Sequence, residues 1–223
     1  MVARAEAAPR LRRDAERNRR LLIEAAREIL REQGLDAPLD EIARRAGVGN
    51  ATLYRRFPTR DELYEAVFAD AGEQLREIGD RVLGIEDGWA ALTSYLDEVC
   101  AFISTDRGVC DLMAERMPRS PVLNEIRLLA DRIVQALLDR AQAQGSVRSD
   151  IGLTDLLFVL CTLQRVIPAS AAVSPDAWRR HLALTMDGLR PHPGSTLPPT
   201  ALTYDQLLEL TPHFHPPRRA DRA

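Results

Sequence analysis

From Leu21 to Arg190 apolar residues recur every three or four positions, and that period leaves little room for anything but packed helices. Leu21, Leu22, Ala25, Ala26, Ile29 and Leu30 form the first stripe, which Gly34 ends. Thr59-Arg60-Asp61-Glu62 is a capping box, in which the Thr59 hydroxyl and the Glu62 carboxylate each satisfy an orphan amide. It opens a long helix with Leu63, Ala66, Val67, Ala71, Leu75, Ile78 and Val82 inward and Gly84 at its end. Further helices are expected over about 88–105, 108–117 and 121–143, with Ser120 as N-cap and Pro121 in the first helical position of the last. The stretch Leu153 to Ile167 is apolar almost throughout and reads as a helix buried on most of its surface, and Ser174-Pro175 starts a last long helix to about Arg190. Aromatics are only 5% of the chain, while Ala, Leu, Arg and Glu, which lose little on entering a helix, dominate. The expected fold class is all-α, with about nine helices.

The organisation follows. Residues 1–13 read as a flexible basic arm, 14–70 as a three-helix head and 71–190 as a helical body. The tail, 191–223, holds seven of the 14 prolines and is expected to be extended apart from a short helix at about 203–210. That helix begins at a second capping box, Thr203-Tyr204-Asp205-Gln206, and offers Leu207, Leu208 and Leu210 to the body.

A net charge of −3 conceals opposite ends: residues 1–60 hold 14 Arg against 9 acids, a net +5, and residues 61–223 hold 16 Arg against 24, a net −8. A basic head suits a phosphate backbone, and an acidic body is repelled by one. There is no run of roughly 18 consecutive apolar residues and no signal-peptide core near the N-terminus, so the expected location is cytoplasmic, with no membrane partner. Cys100, Cys110 and Cys161 make no C-x-x-C and read as small core residues. Catalysis finds no support: His181, His192, His213 and His215 lie outside any H-E-x-x-H, and neither G-x-S-x-G nor a phosphate-binding glycine loop occurs. His213-x-His215 is a weak metal pattern, so neither metal nor cofactor is expected.

The informative segment is LDEIARRAGVGNATLYRRFPTRDELYEAVF, residues 39–68. Two short helices meet at Ala46-Gly47-Val48-Gly49 in the proportions of a helix-turn-helix over about 38–57, whose second helix can enter a major groove. Ile42, Ala46, Gly47, Val48, Leu53 and Phe57 would hold the two helices together. What stays exposed over 49–56 is polar, aromatic and basic. In Ile42, Ala43, Ala46, Gly47, Val48, Thr52, Leu53, Tyr54, Phe57, Arg60, Asp61 and Leu63 the sequence resembles the TetR family of bacterial regulators, over roughly residues 17–70. Arg56 and Ala51 depart from the commonest family residues, as does Pro58-Thr59-Arg60, which bears on the operator recognised and not on the capacity to bind DNA.

The resemblance implies roles residue by residue. Gly49, Asn50 and Thr52 would approach base edges or phosphate, Tyr54 a phosphate or the groove wall, and Arg55 a guanine edge, with Arg56 and Arg60 as phosphate clamps. Arg44 is either a phosphate contact or part of a solvated face, and the Tyr54 ring could instead cover the core. The body is implied to dimerise through helices at about 153–167 and 175–190. It is also implied to take a small, largely apolar effector whose binding respaces the two heads and releases a palindromic operator. Trp89, Tyr95, Phe102, Cys110, Met113, Met117, Phe158, Cys161 and Gln164 are the candidate pocket residues, although each reads first as plain core. Arg165 within its apolar helix requires a carboxylate or an exposed edge. Two other readings stay open: an architectural DNA binder with a filled core, and a small-molecule-binding or interaction protein whose head has lost DNA affinity.

Overall fold

The structure is a computed structural model that describes residues 3–114, 120–171, 173–193, 196–198 and 201–214, with the side chains of 3–13, Ala114 and 211–214 outside that description. Within it the chain is all-α: α1 (Ala3–Gln33), α2 (Leu39–Arg45), α3 (Asn50–Arg56), α4 (Arg60–Leu83), α5 (Gly88–Thr105), α6 (Arg107–Ala114), α7 (Pro121–Ala143), α8 (Leu153–Ala171), α9 (Ala177–Gly188) and α10 (Tyr204–Phe214). Helices α1 to α3 pack together as a head. Helix α4 leaves it and enters a body in which it packs on α5 and α7, while α8 packs on α5, α7 and α9.

Local signals set most helix ends. Gly34 takes φ of +81°, and its N–H reaches the Leu30 carbonyl at 2.8 Å. Ser120 caps α7 by accepting the Leu123 N–H at 3.2 Å, ahead of Pro121. The 203–206 capping box forms in both directions, the Thr203 N–H on Gln206 Oε1 at 2.9 Å and the Gln206 N–H on Thr203 Oγ1 at 3.2 Å. In the Thr59 box the Glu62 N–H donates to Thr59 Oγ1 at 3.2 Å as expected, but the Glu62 carboxylate receives the Thr59 hydroxyl and not an orphan amide.

Three boundaries differ from expectation. Helix α1 runs back to Ala3, through residues expected to form an arm, because that segment is rich in the Ala, Arg and Glu that favour helix. Helix α9 begins at Ala177, after Asp176, and so is shorter than expected. Helix α8 continues past Ile167 through Pro168 to Ala171. Pro168 has no N–H for the Gln164 carbonyl, and the Cys110 thiol of α6 donates to that carbonyl instead, at 3.3 Å. By length and composition α8 would also suffice to cross a membrane; a third of that stretch is buried in the body, and Arg165 stands exposed at its edge.

Candidate nucleic-acid interface

The turn between α2 and α3 is a Schellman motif. Gly47 takes φ of +67°, its N–H reaches the Arg44 carbonyl at 3.2 Å, and the Val48 N–H reaches Ala43 at 3.0 Å. Every hydrogen bond of the turn is thus made by backbone, and the side chains of α3 are left to divide by face. Leu53 (1% exposed) and Phe57 (3%) enter the core with Ile42, while Ala46 and Val48 are half-buried against it. Asn50 and Arg55 lie exposed, Tyr54 is 54% exposed and Thr52 is half-buried. The Tyr54 ring therefore does not serve as a core cover. Gly49 caps α3 with open space around it.

The arginines around α3 differ in what the fold asks of them. Arg44 is 79% exposed and only 3.7 Å from Glu41, a loose pair. Arg56 is half-buried, and its Nε is a buried donor without an acceptor. Arg60 has partners within the protein: its Nη1 donates to the Leu35 carbonyl at 2.9 Å and to the Tyr64 hydroxyl at 3.1 Å. Arg19, which sequence reasoning missed, lies with its guanidinium 5.5 Å from the Phe57 ring centroid and brings an exposed charge of α1 beside α3. Its signal was the basic run Arg17, Arg19 and Arg20 just ahead of the first apolar stripe.

The loop after α1 ties the head to the body through hydrogen bonds, beside the packing of α1 on α6. The Leu35 N–H donates to Asp111 Oδ2 of α6 at 3.0 Å, and the Leu35 carbonyl accepts from Arg60 and Tyr64 of α4. Arg27 of α1 adds an ion pair with Asp70 of α4 at 2.8 Å.

The residues expected to line a pocket do not gather round one cavity. Trp89 lines a groove of about 360 Å³ between α5 and α9, under the Arg190 guanidinium at 3.9 Å. Phe102 lines a separate crevice of about 120 Å³ between head and body. Tyr95, Cys110, Cys161 and Gln164 are buried, the last with an unpartnered Oε1; Met113 is half-buried and Phe158 exposed. Burial pushes the Cys100 and Cys110 thiols up to about 12, and burial and then Asp131 raise the Tyr95 hydroxyl. Met117 and His215 lie outside the described residues, as does the side chain of His213. Among the described residues no group of three His, Cys, Asp or Glu side chains could hold a metal ion.

Known proteins resemble both halves. Residues 22–67 match the family model for bacterial regulatory proteins of the tetR family, and residues 87–191 match the one for the C-terminal domain of SbtR-like transcriptional regulators. The HTH-type transcriptional regulator SrpR of Pseudomonas putida is 40% identical over 88 residues, which are 39% of this chain and 41% of that one. The matched stretch thus spans less than half of SrpR. FadR of Bacillus subtilis, solved in complex with stearoyl-CoA, has a TM-score of 0.57 over 76% of this chain and 98% of its own, and at 17% identity it shares the fold alone. The TetR transcriptional regulator SCO0520 of Streptomyces coelicolor is 34% identical, with 78% of this chain and 98% of that one covered and a TM-score of 0.50. With a relative matched over nearly its whole length and both halves recognised, the chain belongs to the TetR family of bacterial regulatory proteins.

Proposed function

We propose that this chain is a sequence-specific, homodimeric transcriptional repressor that binds a palindromic operator and is released from it by a small, largely apolar ligand. The observation that carries the reading is the division of α3: Leu53 buried at 1% exposure, with Asn50, Tyr54 and Arg55 directed outward on a seven-residue helix held by a backbone-only turn. In a major groove Arg55 reads a guanine edge, and Tyr54, Arg44 and Arg56 contact phosphate and fix register. Gly49, Asn50 and Thr52 meet the backbone or base edges at the start of α3. Arg60 keeps the head on the body through Leu35 and contributes charge toward the backbone with its remaining donors.

Two copies pair through α8 and α9, where Phe158 is 37% and Leu184 is 64% exposed. Apolar side chains left outside a protomer core suit a self-complementary twofold contact, and a dimer presents two heads to two half-sites. FadR, similar in fold, was solved in complex with stearoyl-CoA, a molecule with a long apolar chain, which supports the reading of an apolar ligand.

The test is selection of duplexes from fragmented genomic DNA near physiological salt, with Tyr54→Ala/Arg55→Ala as control. A palindrome enriched by the wild type and lost in the control is the expected result. Enrichment of nothing beyond random DNA by either protein overturns it.

A further inference from the structure

Midway along α7 the core stripe is interrupted by two opposite charges. Arg127 and Asp131 stand one turn apart in the row that joins Leu123 to Val134 and Leu138, and they are 9% and 5% exposed. Arg127 Nη1 donates to Asp131 Oδ2 at 2.8 Å, and its Nε and Nη2 donate to Asn124 Oδ1 at 3.2 and 2.9 Å. A buried ion pair is a poor stabiliser, since desolvating both charges offsets most of their attraction and apolar residues of the same volume do as well or better.

A tyrosine from the far end of the chain joins this pair. The Tyr204 hydroxyl accepts from Arg127 Nη1 and donates to Asp131 Oδ2 at 2.7 Å, with the guanidinium 5.9 Å from the ring centroid. Leu207, on the same face of α10, is fully buried where α10 packs beside α8. Asp205, Gln206 and Glu209, on the other side of α10, are exposed. The helix is therefore a small plug with one phenol and one leucine inserted, on a proline-rich tether.

We propose that the Arg127–Asp131 pair is a ligand subsite for the neutral hydroxyl of a small apolar molecule, and that α10 occupies this subsite until such a molecule displaces it. Arg127 and Asp131 present opposite charges side by side. A carboxylate or phosphate would meet the Asp131 charge, and an amine would meet that of Arg127. A hydroxyl serves both, accepting from one and donating to the other as Tyr204 does. Leu207 marks the apolar remainder, so an alkylphenol carries both inserted groups in one molecule. The same helix α7 lies close on α4, where the ends of Ile126 and Ile133 press on Gly72 and Gly79, so a change at Arg127 has a packed route toward the head. Only that last link rests on the ligand-responsive reading above; the subsite stands on its own geometry.

The experiment uses the full chain and its variant Leu207→Asp, which ejects α10 while leaving the body untouched. Both are titrated calorimetrically with 4-propylphenol and with 4-propylanisole, whose methyl ether accepts a hydrogen bond and cannot donate one. The variant is expected to bind one 4-propylphenol per chain at least tenfold more tightly than the wild type does, and at least tenfold more tightly than it binds the ether. In the wild type, saturating 4-propylphenol should accelerate amide exchange over 207–210 several-fold, as Tyr204→Phe should without ligand. Equal affinity in variant and wild type, binding by neither, or equal affinity for phenol and ether overturns the proposal. Operator binding is measured in parallel: phenol binding that leaves operator affinity unchanged supports the subsite and overturns only its part in induction.

Discussion

Helix α3 buries one leucine and turns polar and basic side chains to water, whereas α8 buries part of its surface and leaves Phe158 37% exposed, as α9 leaves Leu184 64% exposed. Both surfaces stand apart from the protomer core, in opposite currencies of interaction. On α3 the outward groups are well hydrated and gain only when an ordered anion replaces counterions. On α8 and α9 the outward groups gain by leaving water, at roughly 25 cal/mol per Å². The first kind of surface fits a nucleic acid, and the second fits another copy of the same helices.

The largest effect is expected where each substitution counts twice. In a twofold contact Phe158→Asp/Leu184→Asp removes four apolar side chains, each contributing about 1.5–3 kcal/mol when buried. The variant should sediment as a folded monomer at concentrations where the wild type is a dimer. An unchanged dimer would break the comparison on its apolar side. On its polar side, Tyr54→Ala/Arg55→Ala should cost operator binding about 2–6 kcal/mol, from two contacts worth about 1–3 kcal/mol each, and leave thermal stability and dimerisation as they were. Loss of stability along with binding would mean that Tyr54 covers the core after all.

The two regions also differ in how far they can be read without coordinates. The head is written in local signals. Gly47 specifies its turn, Leu53 and Phe57 fall on the buried face by helical spacing, and the Thr59 cap that follows α3 acts within four residues. The body depends on contacts between distant segments, which a period cannot specify. Helical spacing identified Tyr95, Phe102 and Phe158 as apolar, but which gap each faces is decided by how the helices cross. The continuation of α8 through Pro168 rests on a thiol 54 residues away, and the Arg127–Asp131 pair is completed by a tyrosine 73 residues from Asp131. A charged pair at four-residue spacing inside an apolar row was the available signal for the latter, and sequence reasoning passed over it.

The joint between head and body offers an intermediate effect. A side chain at Gly34 would have to adopt φ of +81° and would collide with the Asp111 carboxylate that holds the Leu35 N–H. Gly34→Ala should cost about 1–3 kcal/mol of stability, measured by urea denaturation. Asp111→Ala removes the same clasp without backbone strain and should cost less. If both variants are as stable as the wild type, head and body are joined chiefly by α4, and Leu35 is not the fastening point.

The smallest effect concerns an arginine that already has its anion. Arg148 grips Asp150 with Nε and Nη2 at 2.5 and 2.7 Å, which, ahead of a weak hydrogen bond from the Leu197 N–H, holds the Asp150 carboxyl down from 3.8 to about 2. A carboxyl group whose folded value is depressed favours the folded state fully above pH 3.8, and that contribution disappears as the pH falls through about 2. The Asp150 carboxylate is 42% exposed while the Arg148 side chain is 9% exposed, so salt still reaches the pair and its share of stability is modest. Carboxyl titration followed by NMR should place Asp150 near 2 in the wild type and back toward 3.8 in Arg148→Ala, with operator binding unaffected by the substitution. Loss of operator affinity in that variant would show that positive charge anywhere on the chain supports binding. Retention would show that DNA recognition belongs to arginines such as Arg55, whose forks the fold leaves open on α3.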